Sequence, residues 1–186
     1  PVQAPVQAEQ ATVEDPALPQ AMQTEHQGMP QLSTLADSWN TIRPGGETTC
    51  LYGTEYGFFV KPESTNQALI TFPGGGACWS GQTCSDEPQG RMDDNPKTVR
   101  TEDNPTGSGG VFENNNPENP FLGFTKIHAG YCTGDMHIGN TIRSNEDWIG
   151  EGTPPSQTLH FNGFQNAMTV LDWVYTNLPH LETVVI

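Results

Sequence analysis

The amino-acid sequence predicts an α/β fold built on a parallel sheet, and three stretches predict it. Ala68–Phe72 is a short apolar run that breaks abruptly into Pro73-Gly74-Gly75-Gly76, the pattern of a buried strand ended by a loop. Lys126–Tyr131 is a second such run, ended by Cys132-Thr133-Gly134-Asp135. From about Phe161 to Asn177 apolar residues recur at helical spacing; Pro179 stops that helix, and Glu182–Ile186 follows as a β-branched strand. Strand, long connection, strand, helix, strand is a βαβ order, and its right-handed crossovers place parallel strands in one sheet with helices on the faces. Ligands of such sheets sit beyond the carboxyl ends of the strands. The Gly-rich loop and the Tyr131–Asp135 loop are therefore expected to share one cleft.

Taken in order, residues 1–35 contain no Lys or Arg, five prolines, seven glutamines and a tandem PVQA repeat. Such a segment buries too little apolar surface to offset its ordering entropy and reads as a disordered leader. Residues 36–186 form the folded domain, beginning near Trp39. Thr41–Thr48 is turn-rich. Tyr56–Val60, ended by Lys61-Pro62, reads as the first strand, and residues 62–67 join it to Ala68–Phe72 as a hairpin. Residues 85–120 hold five prolines, four glycines, eight acids and an Asn114-Asn115-Asn116 run. A loop of that length is functional or disordered, and in an enzyme it serves as a lid or a cleft rim. Asp93, Asp94, Glu102 and Asp103 suggest calcium, but without EF-hand spacing the expectation is a solvated loop. Residues 140–158 are polar and turn-rich. The predicted buried face of the helix is Phe164, Ala167/Met168, Leu171 and Val174/Tyr175, with Leu178 just beyond.

The 186 residues suit one domain with a real core. With 22 acids against 7 bases the net charge is −15, which excludes phosphate backbones and anionic membrane surfaces as partners. No apolar run is long enough to span a membrane. A first residue of Pro1 rather than Met is expected from removal of an N-terminal segment such as a signal peptide. Cys50, Cys78, Cys84 and Cys132 contain no C-x-x-C pair. Cys78 and Cys84 flank a short polar loop and are expected to pair locally, leaving Cys50 to pair with Cys132. That arrangement implies a secreted or periplasmic protein. The rival is a metal site combining cysteine with His128 or His137, whose spacing fits no standard zinc pattern.

Glycines after a strand leave backbone N–H groups unshielded and free to adopt positive φ. A loop of this kind can aim N–H groups at a developing oxyanion, the largest electrostatic task in acyl transfer; GGG alone equally fits a tight turn.

Longer blocks decide between those readings. Trp39-Asn40-Thr41-Ile42, Pro44–Cys50 and Gly53–Val60 resemble the pectin acetylesterase family, which includes the Notum carboxylesterases. Phe72-Pro73-Gly74-Gly75-Gly76-Ala77-Cys78-Trp79 is similar to its Gly-rich oxyanion loop, with Cys84 as the paired cysteine. Asn119-Pro120-Phe121, Tyr131–Asn140, Phe161–Ala167 and Leu171-Asp172-Trp173 are similar to further blocks, in order, across residues 39–186. The resemblance implies an α/β-hydrolase fold and a secreted serine esterase, with acetylated polysaccharide as substrate and no cofactor. It implies Gly75 and Gly76 as oxyanion-hole donors. Trp79 and Tyr131 either line the acyl or sugar pocket or pack as core. Asp135 and His137 invite a catalytic assignment, but the family's triad Asp and His follow its nucleophile, so D-x-H is expected to fix a loop by hydrogen bonds.

One departure matters. The family runs from the strand matching Glu182–Ile186 into a G-x-S-x-G elbow, and none occurs in these 186 residues. The expectation is therefore the N-terminal half of a hydrolase sheet, neither catalytic nor stably folded alone. Ser, Asp and His would lie C-terminal of Ile186, on a missing part or on a second chain after processing. Alternatives are an autoproteolytically exposed nucleophile acting on another ester or an amide polymer, a truncated product, and a non-catalytic remnant that binds carbohydrate or another partner.

Overall fold

The computed structural model describes residues 28–84, 98–144 and 158–186. Its main sheet has five strands: β1 (Asn40–Ile42), β2 (Phe58–Lys61), β3 (Gln67–Thr71), β4 (Thr125–Ala129) and β7 (Thr183–Val185), in the order β1-β2-β4-β3-β7. Two further strands, β5 (Thr141–Arg143) and β6 (Leu159–Phe161), form a separate antiparallel pair. The helices are a single turn, α1 (Gly81–Cys84), and α2 (Gly163–Asn177).

The chain is α/β, but the sheet is mixed rather than parallel. β3 runs parallel to β4 and β7, with Ala68 opposite Thr125 and Val184. β1 and β2 are antiparallel, with Phe58 opposite Ile42 on one side and Ala129 on the other. The expected hairpin between β2 and β3 is absent, because β4 lies between them. β3 is paired on both edges, which suits its near-continuous apolar run. The turn before it is tied to β4, not to β2: Thr125 Oγ1 accepts from Glu63 N at 2.9 Å and donates to Ser64 O.

Strand alternation splits the sheet into two faces. Phe58, Val60, Ala68, Ile70, Ile127 and Ala129 share a cluster with Val170, Trp173, Val174 and Leu178, and the Phe58 and Trp173 rings meet edge-on at 5.7 Å. The buried residues of α2 are Gly163, Asn166, Thr169, Val170, Trp173 and Val174, so its core face is rotated from the predicted one. Phe164 and Tyr175 are exposed. The rotation follows from polar residues that satisfy themselves while buried. Asn166 Oδ1 accepts from Thr49 N at 3.2 Å and its Nδ2 donates to Thr49 O at 2.9 Å; Thr169 donates to Gln165 O.

The other face presents Phe59, His128 and Lys126. Its cover is the 98–124 segment, most of whose residues remain exposed while a few pack inward; residues 85–97 of the expected solvated loop lie outside the described residues. Phe112 meets His128 edge-on at 5.4 Å and Trp39 at 5.9 Å. Asn114 Oδ1 accepts from the fully buried Lys126 Nζ at 3.1 Å. Burial holds the Lys126 pKa below its usual value, against the opposing pull of Glu63. Of the calcium candidates, Glu102 and Asp103 pair with Arg100, and Asp93 and Asp94 lie outside the described residues. Of the stretch assigned to the leader, residues 28–35 pack on the core through Met29, Leu32 and Leu35, and Pro30 O accepts from Trp173 Nε1 at 2.9 Å.

Candidate functional site

The carboxyl ends of β3 and β4 are adjacent because the two strands are parallel neighbours, and the loops that follow them interlock. After β3 the chain runs through Pro73 to Cys78. Gly74, Gly75 and Gly76 are exposed, and Gly76 has φ +75°, a conformation that favours glycine. Among the described residues, none accepts a hydrogen bond from the N–H groups of these three glycines. The ends of the turn, by contrast, are held firmly. Tyr131 Oη donates to Gly76 O at 2.8 Å while accepting from Met136 N at 3.1 Å. His137 Nε2 donates to Pro73 O at 2.8 Å, since a carbonyl can only accept. Cys78 N donates to Gly134 O at 2.8 Å. The His137 ring lies against Phe72 and Tyr131, with centroids 5.3 and 4.8 Å away.

Asp135 holds the second loop in place. Its Oδ1 accepts from Thr133 Oγ1 at 2.6 Å and from His137 N at 3.1 Å, and its Oδ2 accepts from Gly163 N at 2.7 Å. That last bond caps α2, whose own N-cap, Asn162, makes no side-chain cap bond; a carboxylate there also meets the positive end of the helix dipole. A Cβ on Gly163 would lie 2.1 Å from Asp135, and one on Gly139 2.4 Å, so glycine is required at both places. Met136 and His137 hold φ +57° and +62°, a region that non-glycine residues rarely occupy and that neighbouring bonds must enforce. The D-x-H pair thus fixes a loop by hydrogen bonds, as expected, and it does so by bracing the Gly-rich turn. The signal for this was present as Asp135, Gly139 and the Asn162-Gly163 step, but only the fold brings them together.

Both expected disulfides are formed, Cys50–Cys132 and Cys78–Cys84, which removes the thiolates that the rival metal site needs. Tyr131 is 5% exposed, with its hydroxyl committed to Gly76, whereas Trp79 is 61% exposed at the end of the Gly-rich loop. Burial raises the Tyr131 pKa above the usual phenol value, with the Met136 N–H pulling the other way. The two loops line a shared cavity of about 380 Å³, bounded by Phe72, Pro73, Gly74, Met136, His137 and Ala167 of α2. A larger one, of about 560 Å³, lies at the opposite edge between Leu32, Glu63 and Pro179. It holds no histidine beside its serines and threonines, and it faces the amino ends of the parallel strands, away from both loops.

A family model described as Pectinacetylesterase matches residues 40–185. No curated protein matches the chain.

Proposed function

The chain belongs to the pectinacetylesterase family, and on that premise we propose that it carries the oxyanion-stabilising half of a secreted serine carboxylic-ester hydrolase that removes acetyl groups from polysaccharide. The observation that carries this reading is the Gly74–Gly76 turn, whose N–H groups have no acceptor among the described residues while it is braced at both ends, at Gly76 O by Tyr131 and at the preceding Pro73 O by His137. Donors fixed before the reaction cost no reorganisation when charge develops, which is why such holes contribute so much to acyl transfer. Gly75 and Gly76 are the assigned donors, and the exposed Trp79 offers a surface for the substrate.

The topology supports an α/β-hydrolase arrangement. In that fold the loop between β3 and the next helix supplies one oxyanion N–H, and the residue after the nucleophile supplies the other. Here the Gly-rich loop lies between β3 and α1. β7 runs parallel beside β3, with Leu69 opposite Val185, so sequence following Ile186 would leave the sheet at the same edge as the loop. We assign the nucleophilic Ser, with its His and Asp, to that following sequence, in this polypeptide or on a second chain after processing. The Ser attacks the ester carbonyl, and the His takes its proton and passes it to the leaving alcohol. The two disulfides support an oxidising compartment.

Two readouts on the purified mature protein test this: hydrolysis of 4-nitrophenyl acetate, and denaturing intact mass with and without a fluorophosphonate. The reading expects turnover and one probe mass on a serine outside residues 1–186. A protein that neither turns over acetyl ester nor takes the probe contradicts it.

A further inference from the structure

The two disulfides tie different parts of the molecule together. Cys50 and Cys132 are fully buried in the main core cluster with Phe58 and Trp173, and their link spans 82 residues. Cys78–Cys84 spans 6 residues and packs in a smaller cluster with Leu51, Leu159 and Phe161. Cys78 lies near the surface, 8% exposed, beside the exposed Trp79. A reductant reaches Cys50 or Cys132 only when the main core opens. Opening residues 79–83 alone uncovers Cys78, and local openings cost far less than global ones.

The 79–84 loop closes on hydrogen bonds of its own. Thr83 Oγ1 accepts from Trp79 N at 3.0 Å and from Ser80 N at 2.9 Å. Cys84 N donates to Ser80 O at 3.0 Å, and Cys84 O accepts from Tyr52 Oη at 3.5 Å. Loss of the S–S bond therefore leaves α1 and Cys84 anchored. Cys78 is held differently: its N–H donates to Gly134 O at 2.8 Å, and the disulfide fixes its side chain. Two residues upstream, Gly76 holds φ +75° with no side chain to confine it. Tyr131 holds the Gly76 carbonyl, but the turn as a whole is kept taut between Pro73 and Cys78, so slack at Cys78 passes into it.

Resting on the esterase reading, we propose that Cys78–Cys84 is a redox-responsive clasp on the oxyanion turn: a dithiol reductant opens it without unfolding the domain, turnover falls, and reoxidation restores it. One thiolate of the reductant attacks Cys78 Sγ, the more accessible sulfur, and Cys84 leaves as a thiolate that takes up a proton. The reductant's second thiol loses its proton and displaces Cys78 from the mixed disulfide. The reductant ends as a disulfide and the protein as two thiols, two electrons and two protons having passed between them. Cys50–Cys132 stays closed and keeps the main core cross-linked throughout. The turn loses its preorganisation, and with it the advantage that fixed donors give a developing oxyanion.

The mature protein is treated with dithiothreitol under native conditions, and samples are alkylated and mapped by mass spectrometry. Cys78 and Cys84 should be labelled about tenfold or more faster than Cys50 and Cys132, with the near-ultraviolet circular dichroism of the folded core retained. Amide exchange at Gly74–Gly76 should quicken in the reduced protein. On 4-nitrophenyl acetate kcat should fall about tenfold with KM nearly unchanged, and oxidised glutathione should restore it in the unalkylated sample. Protein carrying Cys78→Ser with Cys84→Ser should start at the lowered kcat and ignore dithiothreitol. Simultaneous opening of both disulfides, exchange at Gly74–Gly76 that does not change, or a serine variant that still loses activity to dithiothreitol would overturn the proposal. If the oxidised protein turns over no acetyl ester, the esterase reading fails, while the thiol map and the exchange rates still decide the clasp.

Discussion

Helix α2 covers one face of the sheet with apolar surface, Val170, Trp173 and Val174 over Phe58, Ile70 and Ile127, whereas residues 98–124 cover the other with rings and polar contacts. The second cover has no regular helix of more than a turn, and what organises it is Asn119. Its Nδ2 donates to the carbonyls of Gly110, Val111 and Glu113 at 3.4, 3.2 and 2.8 Å, while Oδ1 accepts from Phe121 N. Lys126 and His128 then pin this segment to β4. The comparison teaches a division of labour. Apolar burial under α2 holds the fold, and hydrogen bonds over the other face place polar groups beside the Gly-rich loop at modest energetic cost.

Breaking the apolar cover should have the largest effect. Trp173→Ala removes a fully buried ring and should lower unfolding free energy by about 3–5 kcal/mol in a denaturant titration. A loss no larger than that of a polar-cover variant would break the comparison. The disulfides come next. Replacing Cys50 and Cys132 by Ala opens a link across 82 residues, worth about 4.5 kcal/mol in the chain-entropy account. Replacing Cys78 and Cys84 opens a link across 6 residues, worth about 2 kcal/mol. The second pair should disturb ester turnover more than stability, because it lies in the Gly-rich loop.

His128 sharpens the comparison through pH. Its folded pKa of about 4 lies below its ordinary 6.5, so the unfolded chain takes up the proton first. Its contribution to stability is full above pH 6.5 and is lost as pH falls toward 4, up to about 3 kcal/mol. His128→Phe should flatten that part of the stability–pH curve. Asn119→Ala leaves several carbonyls short of a donor and should cost about 1–3 kcal/mol, with faster amide exchange confined to residues 110–121. Tyr131→Phe should be the mildest for stability, about 1 kcal/mol, yet kcat on an acetyl ester should fall because Gly76 loses its brace. Unchanged kcat would separate the two loops functionally.

The apolar cover was largely legible in the sequence, and the polar one was not. β3, β4, α2 and β7 announced themselves through runs of β-branched residues and helical spacing, and Pro179 marked where α2 ends. The face of α2 was misjudged because Asn166 and Thr169 count as exposed by hydropathy, yet both satisfy their hydrogen bonds while buried. β1 and β5 are three residues each, too short for a periodicity. The 98–124 cover carries its information in single side chains, Asn114, Asn119 and Phe112, whose partners are distant in sequence or are backbone carbonyls. The two site loops were recognisable as loops, and Cys50–Cys132 and Cys78–Cys84 as pairs. The bracing of Pro73 by His137 and of α2 by Asp135 depends on positive φ at Met136 and His137, which no residue type at those positions signals.

The claim on which the account rests is that the Gly-rich turn is held ready for a developing oxyanion. Gly76→Ala tests it most directly, because φ +75° at this position strains any side chain, and the N–H is kept but aimed elsewhere. Measured on the mature protein with 4-nitrophenyl acetate, kcat should fall about 100-fold or more with KM nearly unchanged. A variant that folds and keeps its kcat would show that the turn is only a connection between β3 and α1.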